Sequence, residues 1–177
     1  MNIRRNATFS NDRKYRYVLW RDWDKNKPSV VFIGLNPSTA DENKDDPTIR
    51  RLTGFAQDWG FGGMYMLNIF AFRATDPKQM KAAADPIGGL YRYQGSGFFE
   101  SVNDYNLSAY TTRSNVRKVV ACWGNHGQFL DRGEQVRELL SSRLTDIGGL
   151  QAFKITKQGQ PSHPLYLPKD MKTFQWT

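Results

Sequence analysis

Residues 29–35, Ser-Val-Val-Phe-Ile-Gly-Leu, form a short β-branched apolar run that Asn36-Pro37-Ser38 stops at once. A strand with one wet face alternates apolar and polar residues. A run without that alternation belongs to a strand buried on both faces. Such a strand needs a neighbour on each side and a covering layer above and below. Residues 64–71, 116–123 and 151–156 read as three further strands of the same kind. Helical patterns fall between them. Asp46-Pro47 opens one, with Asp as N-cap and Pro at the first helical position. Ile49, Leu52, Phe55, Ala56 and Trp59 then recur at helical spacing until Gly60. Two more helices are expected over 98–111 and 127–144. Strands alternating with helices imply crossovers and a mainly parallel sheet covered on both faces. Residues 15–23 alternate aromatic or apolar residues with Arg and are expected to pair, antiparallel, with the stretch at 7–9.

The chain of 177 residues is read as one α/β domain over 1–177. No apolar run approaches a membrane span, and residues 1–10 lack the apolar core of a secretory leader. The single cysteine, Cys122, lies in an apolar run and reads as an inert buried thiol. A cytoplasmic protein without a metal site is therefore expected. Lys and Arg number 25 against 17 Asp and Glu, for a net charge of +8. That excess suits a polyanion partner, although it also serves plain solubility.

In parallel sheets ligands bind beyond the carboxyl ends of the strands. The polar residues of this sequence gather at those points. Asn36, Pro37 and Ser38 follow the first buried run, Asn68 ends the second with Phe70, Phe72 and Arg73 close behind, and Trp123-Gly124-Asn125-His126 follow the third. Ser162-His163-Pro164 follow the fourth. No phosphate loop and no Gly-x-Gly-x-x-Gly after a strand is present, so no nucleotide cofactor is expected. A serine-hydrolase triad is not suggested either.

The order Gly34-x-Asn36-Pro37, Leu67-Asn68, Trp123-Gly124, His163-Pro164 resembles the uracil-DNA glycosylase superfamily. The resemblance implies a three-layer α/β/α fold around a central, mainly parallel four-stranded sheet, to which the N-terminal antiparallel strand pair is added. The Asn in the first motif is closer to the mismatch-specific branch than to the Asp-bearing uracil branch. The chain also resembles a bacterial and phage family with four signatures. These are Gly-Leu-Asn-Pro-Ser-Thr-Ala-Asp, Asp-Asp-Pro-Thr-Ile-Arg-Arg, Asn-Ile-Phe-Ala-Phe-Arg-Ala-Thr-Asp-Pro and His-Pro-Leu-Tyr-Leu, all present between residues 16 and 167. Some members of that group resemble anti-phage glycosylases that remove glucosylated hydroxymethylcytosine from DNA.

Hydrolysis of an N-glycosidic bond needs a positioned water, a donor to the departing base and a pocket for a flipped nucleotide. By the resemblance, Asn36 holds the water through its side-chain carbonyl and His163 donates to the base oxygen. Asn68 reads the Watson–Crick edge, while Leu35, Pro37, Phe70, Phe72 and His126 shape the pocket. Ser38 stands where the uracil-specific branch carries a Tyr that blocks 5-substituents, so a modified pyrimidine is expected to fit. Asp41 is a candidate acid for a poorly leaving base, whereas Asp46 reads as the helix cap. Arg50, Arg51 and Arg73 are expected to meet phosphates. The Gly-flanked segment 86–101, with Tyr91, Arg92 and Tyr93, suits a loop that stacks on bases or packs a sugar. The expected function is a monofunctional DNA glycosylase, a monomer acting on double-stranded DNA without a cofactor or a membrane. A uracil or thymine mismatch enzyme, an N-glycosidase of free nucleotides and a non-catalytic nucleic-acid binder remain open beside it.

Overall fold

The computed structural model describes residues 3–92 and 99–176. In chain order the elements are β1 (Arg4–Phe9), β2 (Arg16–Asp22), β3 (Ser29–Gly34), α1 (Pro47–Asp58), β4 (Gly63–Asn68), α2 (Pro77–Ala82), β5 (Leu90–Arg92), β6 (Phe99–Ser101), α3 (Val102–Thr111), β7 (Val116–Ala121), α4 (Arg132–Ser141), β8 (Leu150–Ala152) and β9 (Phe174–Gln175). Strand β3 is the uninterrupted apolar run of residues 29–34, and all of its residues are buried. It pairs in parallel with β4 on one side and β7 on the other, and β8 extends the parallel block beyond β7.

The α/β class and its helix–sheet–helix layering are present, but the sheet is larger and more mixed than expected. Its order is β1-β2-β4-β3-β7-β8-β9, seven strands in all. Strands β1, β2 and β9 join antiparallel. A parallel block of four would leave open rows of backbone N–H and C=O groups along β4 and β8. Strand β2 closes the first edge, in register from Leu19 opposite Met66 to Asp22 opposite Gly63. The N-terminal pair is thus not an appendage but the flank of the main sheet. At the other edge β9 covers β8 with only two residues, too short a stretch to read from sequence.

The pleat divides the core. Val30 and Phe32 point to one face and pack with Ile49, Leu52, Phe55 and Ala56 of α1. Val31 and Ile33 point to the other and pack with Met80 of α2, Leu107 of α3 and Val136 and Leu140 of α4. Helix α1 starts as its sequence requires: the Asp46 carboxylate accepts the Ile49 N–H at 2.8 Å, and Pro47 occupies the first turn. The helix expected over 127–144 is broken. Residues Asn125–Asp131 make a short 3-10 segment, Leu130 and Asp131 both take φ of 55°, and α4 begins only at Arg132. The fourth strand is cut short at Ala152, because Thr156 turns back to donate its N–H to Gln160 O. Among the described residues no helix is long and apolar enough to cross a membrane.

Phe153 follows β8 and seals the α1 face. Its ring centroid lies 4.7 Å from Phe55, 5.6 Å from Trp59 and 6.4 Å from Phe32. Phe153→Ala is expected to cost about 3–5 kcal/mol in urea unfolding. Tyr166→Ser, at a side chain 89% exposed, is expected to stay within about 0.5 kcal/mol.

Candidate functional site

The carboxyl ends of β3, β4 and β7 open into a cavity of about 460 Å³. That is within the range of small-molecule sites, about 300–1,000 Å³. The turn after β3 supplies Leu35, Asn36 and Ser38, β4 supplies Asn68, and the segment after β7 supplies Trp123, Gly124, Asn125 and His126. His163 and Asp46 close the rim, and Arg16 enters from β2.

Asn36 is oriented by its amide nitrogen, which donates to Ala74 O at 2.8 Å and to Pro37 O at 3.0 Å. Both neighbours are carbonyls, so the nitrogen must face them and Oδ1 is left as the remaining acceptor. Pro37 O also accepts the Ala74 N–H at 2.9 Å, which ties this turn to the chain leaving β4. Pro37 itself is buried behind the lining.

Asn68 is 1% exposed, and both Nδ2 and Oδ1 lack a hydrogen-bond partner. A buried polar group left unpaired costs roughly 1–3 kcal/mol. Its backbone is firmly held, since Asn68 O accepts from Asn103 Nδ2 at 2.9 Å. Gly34 stands opposite Asn68 in the ladder. A Cβ on Gly34 would lie 2.5 Å from Met66 Cε and 3.1 Å from Asn68 Oδ1, so an added methyl would displace the Met66 terminus and crowd the amide.

His163 Nδ1 accepts the Leu165 N–H at 3.4 Å, which puts the proton of the neutral ring on Nε2. Protein crowded around the ring holds its pKa below the ordinary 6.5, with the Asp46 charge opposing, although the outer edge of the residue is exposed. Gly124, at φ 72°, donates its N–H to Pro161 O at 2.8 Å and brings the His163 segment against the end of β7. The Cys122 thiol on the cavity wall is pushed up to about 12 by burial and stays protonated.

Arg16 had no signal in the sequence, where it reads as the polar half of an alternating strand. It is 2% exposed and lines the cavity. Its Nη1 donates to Ala40 O at 2.9 Å, and its Nε has no partner. Burial lowers its pKa to about 10, with Asp46 opposing, so it remains a cation at neutral pH.

Other expected site residues are placed elsewhere. Phe70 is fully buried in the core, its ring 5.7 Å from Phe129, and does not line the cavity. Phe72 packs edge-on against Tyr15 at 5.8 Å, outside it. Asp41 is a turn former: its carboxylate accepts the N–H groups of Asn43 and Lys44, both at 2.8 Å, which hold it below the usual range. It is not in the cavity lining; the carboxylate there is Asp46. Arg50 donates to Asp45 O at 2.6 Å, and Arg51 lies 4.8 Å over the Phe55 ring and bonds Leu167 O, both on the outer side of α1. Arg73 does lie beside the site. With Arg13, Lys14 and Phe72 it lines a shallow groove that shares Ser38, Ala74 and Thr75 with the cavity. Tyr93 lies outside the described residues, as do the side chains of Tyr91 and Arg92, whose backbone belongs to β5. Among the described residues no group of three or more His, Cys, Asp and Glu is gathered as metal ligands would be.

Gly34→Ala is expected to lower stability by about 1–3 kcal/mol in urea unfolding, as the methyl group drives Met66 and Asn68 apart. Unchanged stability would mean that the cavity floor is looser than this geometry requires.

No curated protein and no solved structure matches the chain. Residues 16–165 match the family described as Protein of unknown function (DUF1643). That match takes in the strand-end motifs and every residue lining the cavity, and the chain belongs to the DUF1643 family.

Proposed function

We propose that this chain is a monofunctional DNA glycosylase that hydrolyses the N-glycosidic bond of a flipped, 5-modified pyrimidine. The observation that carries the reading is the Asn68 amide: buried, unpartnered at both ends and facing a cavity at the strand ends. A donor pair beside an acceptor is what the Watson–Crick edge of a pyrimidine asks for. The resemblance of the strand-end motifs to the uracil-DNA glycosylase superfamily points the same way.

In this reading the base enters the cavity and pairs with the Asn68 amide. The Asn36 Oδ1, fixed by the two bonds of its nitrogen, holds a water below C1′. The C1′–N1 bond breaks and its electron pair leaves with the base, while the water oxygen bonds C1′ and its released proton ends on the base anion. His163 donates Nε2–H to a base oxygen as that charge develops. Leu35 and His126 flank the base. Small Ser38 sits between the cavity and the shallow groove and leaves a way out for a 5-substituent, such as the sugar of glucosylated hydroxymethylcytosine. Arg13, Lys14 and Arg73 along that groove suit the phosphates of the strand. Such an enzyme would act as a cytoplasmic monomer in defence against phage DNA.

The test is mass spectrometry of bases released from duplexes carrying uracil, mismatched thymine, hydroxymethylcytosine or its glucosylated form, with the matching free nucleotides alongside. Release of a modified pyrimidine from DNA is expected, and Asn36→Ala is expected to slow it about a hundredfold. Because His163 lies below its ordinary pKa, the rate should stay level to below pH 6.5. It should change only below that, as a second proton reaches Nδ1 and breaks the bond from the Leu165 N–H. Release from no duplex, or an Asn36→Ala rate equal to wild type, would sink the reading.

A further inference from the structure

Three arginines are buried among the described residues: Arg16 at 2%, Arg21 at 1% and Arg132 at 3% exposure. Two of them are neutralised within the fold. Arg21 binds the Asp45 carboxylate through Nε at 2.8 Å and Nη2 at 2.6 Å, and also donates to Trp20 O and Asp41 O. Arg132 pairs with Asp104 and donates from Nε to Ile69 O. Arg16 differs. No acidic group of the described residues comes within ion-pair distance of it, and its guanidinium donates to a neutral carbonyl, Ala40 O. Among the described residues it is also the only Lys or Arg in the cavity lining.

A buried cation without an anion costs several kcal/mol in a protein interior. The cost falls away when an anion, or a group becoming one, enters beside it. Of the other lining groups, the Asn36 and Asn68 amides and the His163 ring are neutral, while the Asp46 carboxylate caps α1 and attracts Arg16 only from beyond ion-pair distance. On the glycosylase reading one species in this cavity turns negative. When C1′–N1 breaks, the bonding pair passes to the base and spreads over N1, O2 and N3. A guanidinium is permanently charged and presents its N–H groups in a plane, as an amidate edge does. It needs no proton transfer to act, and because Arg16 itself is buried its field is less screened than that of a surface cation.

We infer that Arg16 is a catalytic residue whose buried guanidinium donates to the departing base and stabilises its negative charge, an inference that rests on the glycosylase reading and adds to it a charged group on β2. Asn68 then selects the base, His163 donates one neutral hydrogen bond, and Arg16 supplies the counter-charge. The guanidinium lies ready before the base arrives, since Nη1 is anchored on Ala40 O and the backbone N–H of Arg16 donates to Ala71 O at 3.0 Å.

The experiment compares wild type, Arg16→Met and Arg16→Lys in single-turnover release from duplexes carrying 5-fluoro, unsubstituted and 5-methyl forms of the released pyrimidine. These differ in how readily the base carries negative charge. Arg16→Met is expected to slow release about 10²–10³-fold. The loss should be smallest for the 5-fluoro base and largest for the 5-methyl base, with Arg16→Lys between wild type and Arg16→Met. Duplex affinity, measured by fluorescence anisotropy, should change little. Urea unfolding should show Arg16→Met at least as stable as wild type, because it removes an unpaired buried charge. Equal slowing for all three bases together with weakened affinity would assign Arg16 to a phosphate and overturn the inference, as would an unchanged rate. A wild-type enzyme that releases no base would overturn the glycosylase reading as well.

Discussion

Strand β3 is hydrogen-bonded in parallel on both sides and is buried along its whole length. Parallel pairing makes three strands end at the same edge. Backbone bonds continue past the strand ends there: Ile69 N–H donates to Gly34 O at 2.9 Å, Phe70 N–H to Leu35 O at 2.9 Å and Cys122 N–H to Ile33 O at 2.8 Å. Three chain segments must therefore turn away side by side, and no regular backbone is left to fill the space between them. The absence of a side chain at Gly34 keeps that space open. The cavity follows from the pairing, and the residues that border it are whatever the sequence places directly after each strand.

Buried polar groups of this fold are handled in two ways. Arg21, Arg132 and the Asn103 amide nitrogen are bonded to carboxylates or carbonyls and hold neighbouring segments in place. Asn68 and Arg16 face the cavity with unspent hydrogen-bonding capacity. A sequence selected for stability alone would replace such groups with apolar ones, since an unpaired buried amide or charge opposes folding. Keeping them makes chemical sense when something polar fills the cavity.

Much of this was legible in the sequence where the cause is local. The uninterrupted apolar run gave β3, Asp46-Pro47 gave the start of α1, and the polar residues after each run gave Asn36, Asn68 and His163. Non-local causes stayed hidden. Strand β9 is two residues long, and the antiparallel β2–β4 pairing joins segments more than forty residues apart in sequence. Phe70 sits in a run with no alternation, so its face cannot be read from its neighbours. Arg16 looks like any surface arginine until β2 is placed beside β4. Asp41 was legible in principle: an Asp in a polar stretch between elements readily accepts the backbone N–H two residues on in an Asx turn, and its carboxylate makes that turn.

The site hangs most directly on the unpaired Asn68 amide, and Asn68→Leu probes it with one chain and two readings. Leu has nearly the shape of Asn and no hydrogen bonds to lose. Urea unfolding should show the variant as stable as wild type or more so, while base release is lost. A variant destabilised by about 1–3 kcal/mol, as when a satisfied buried partner is cut, that still releases base at the wild-type rate would contradict a binding role for Asn68.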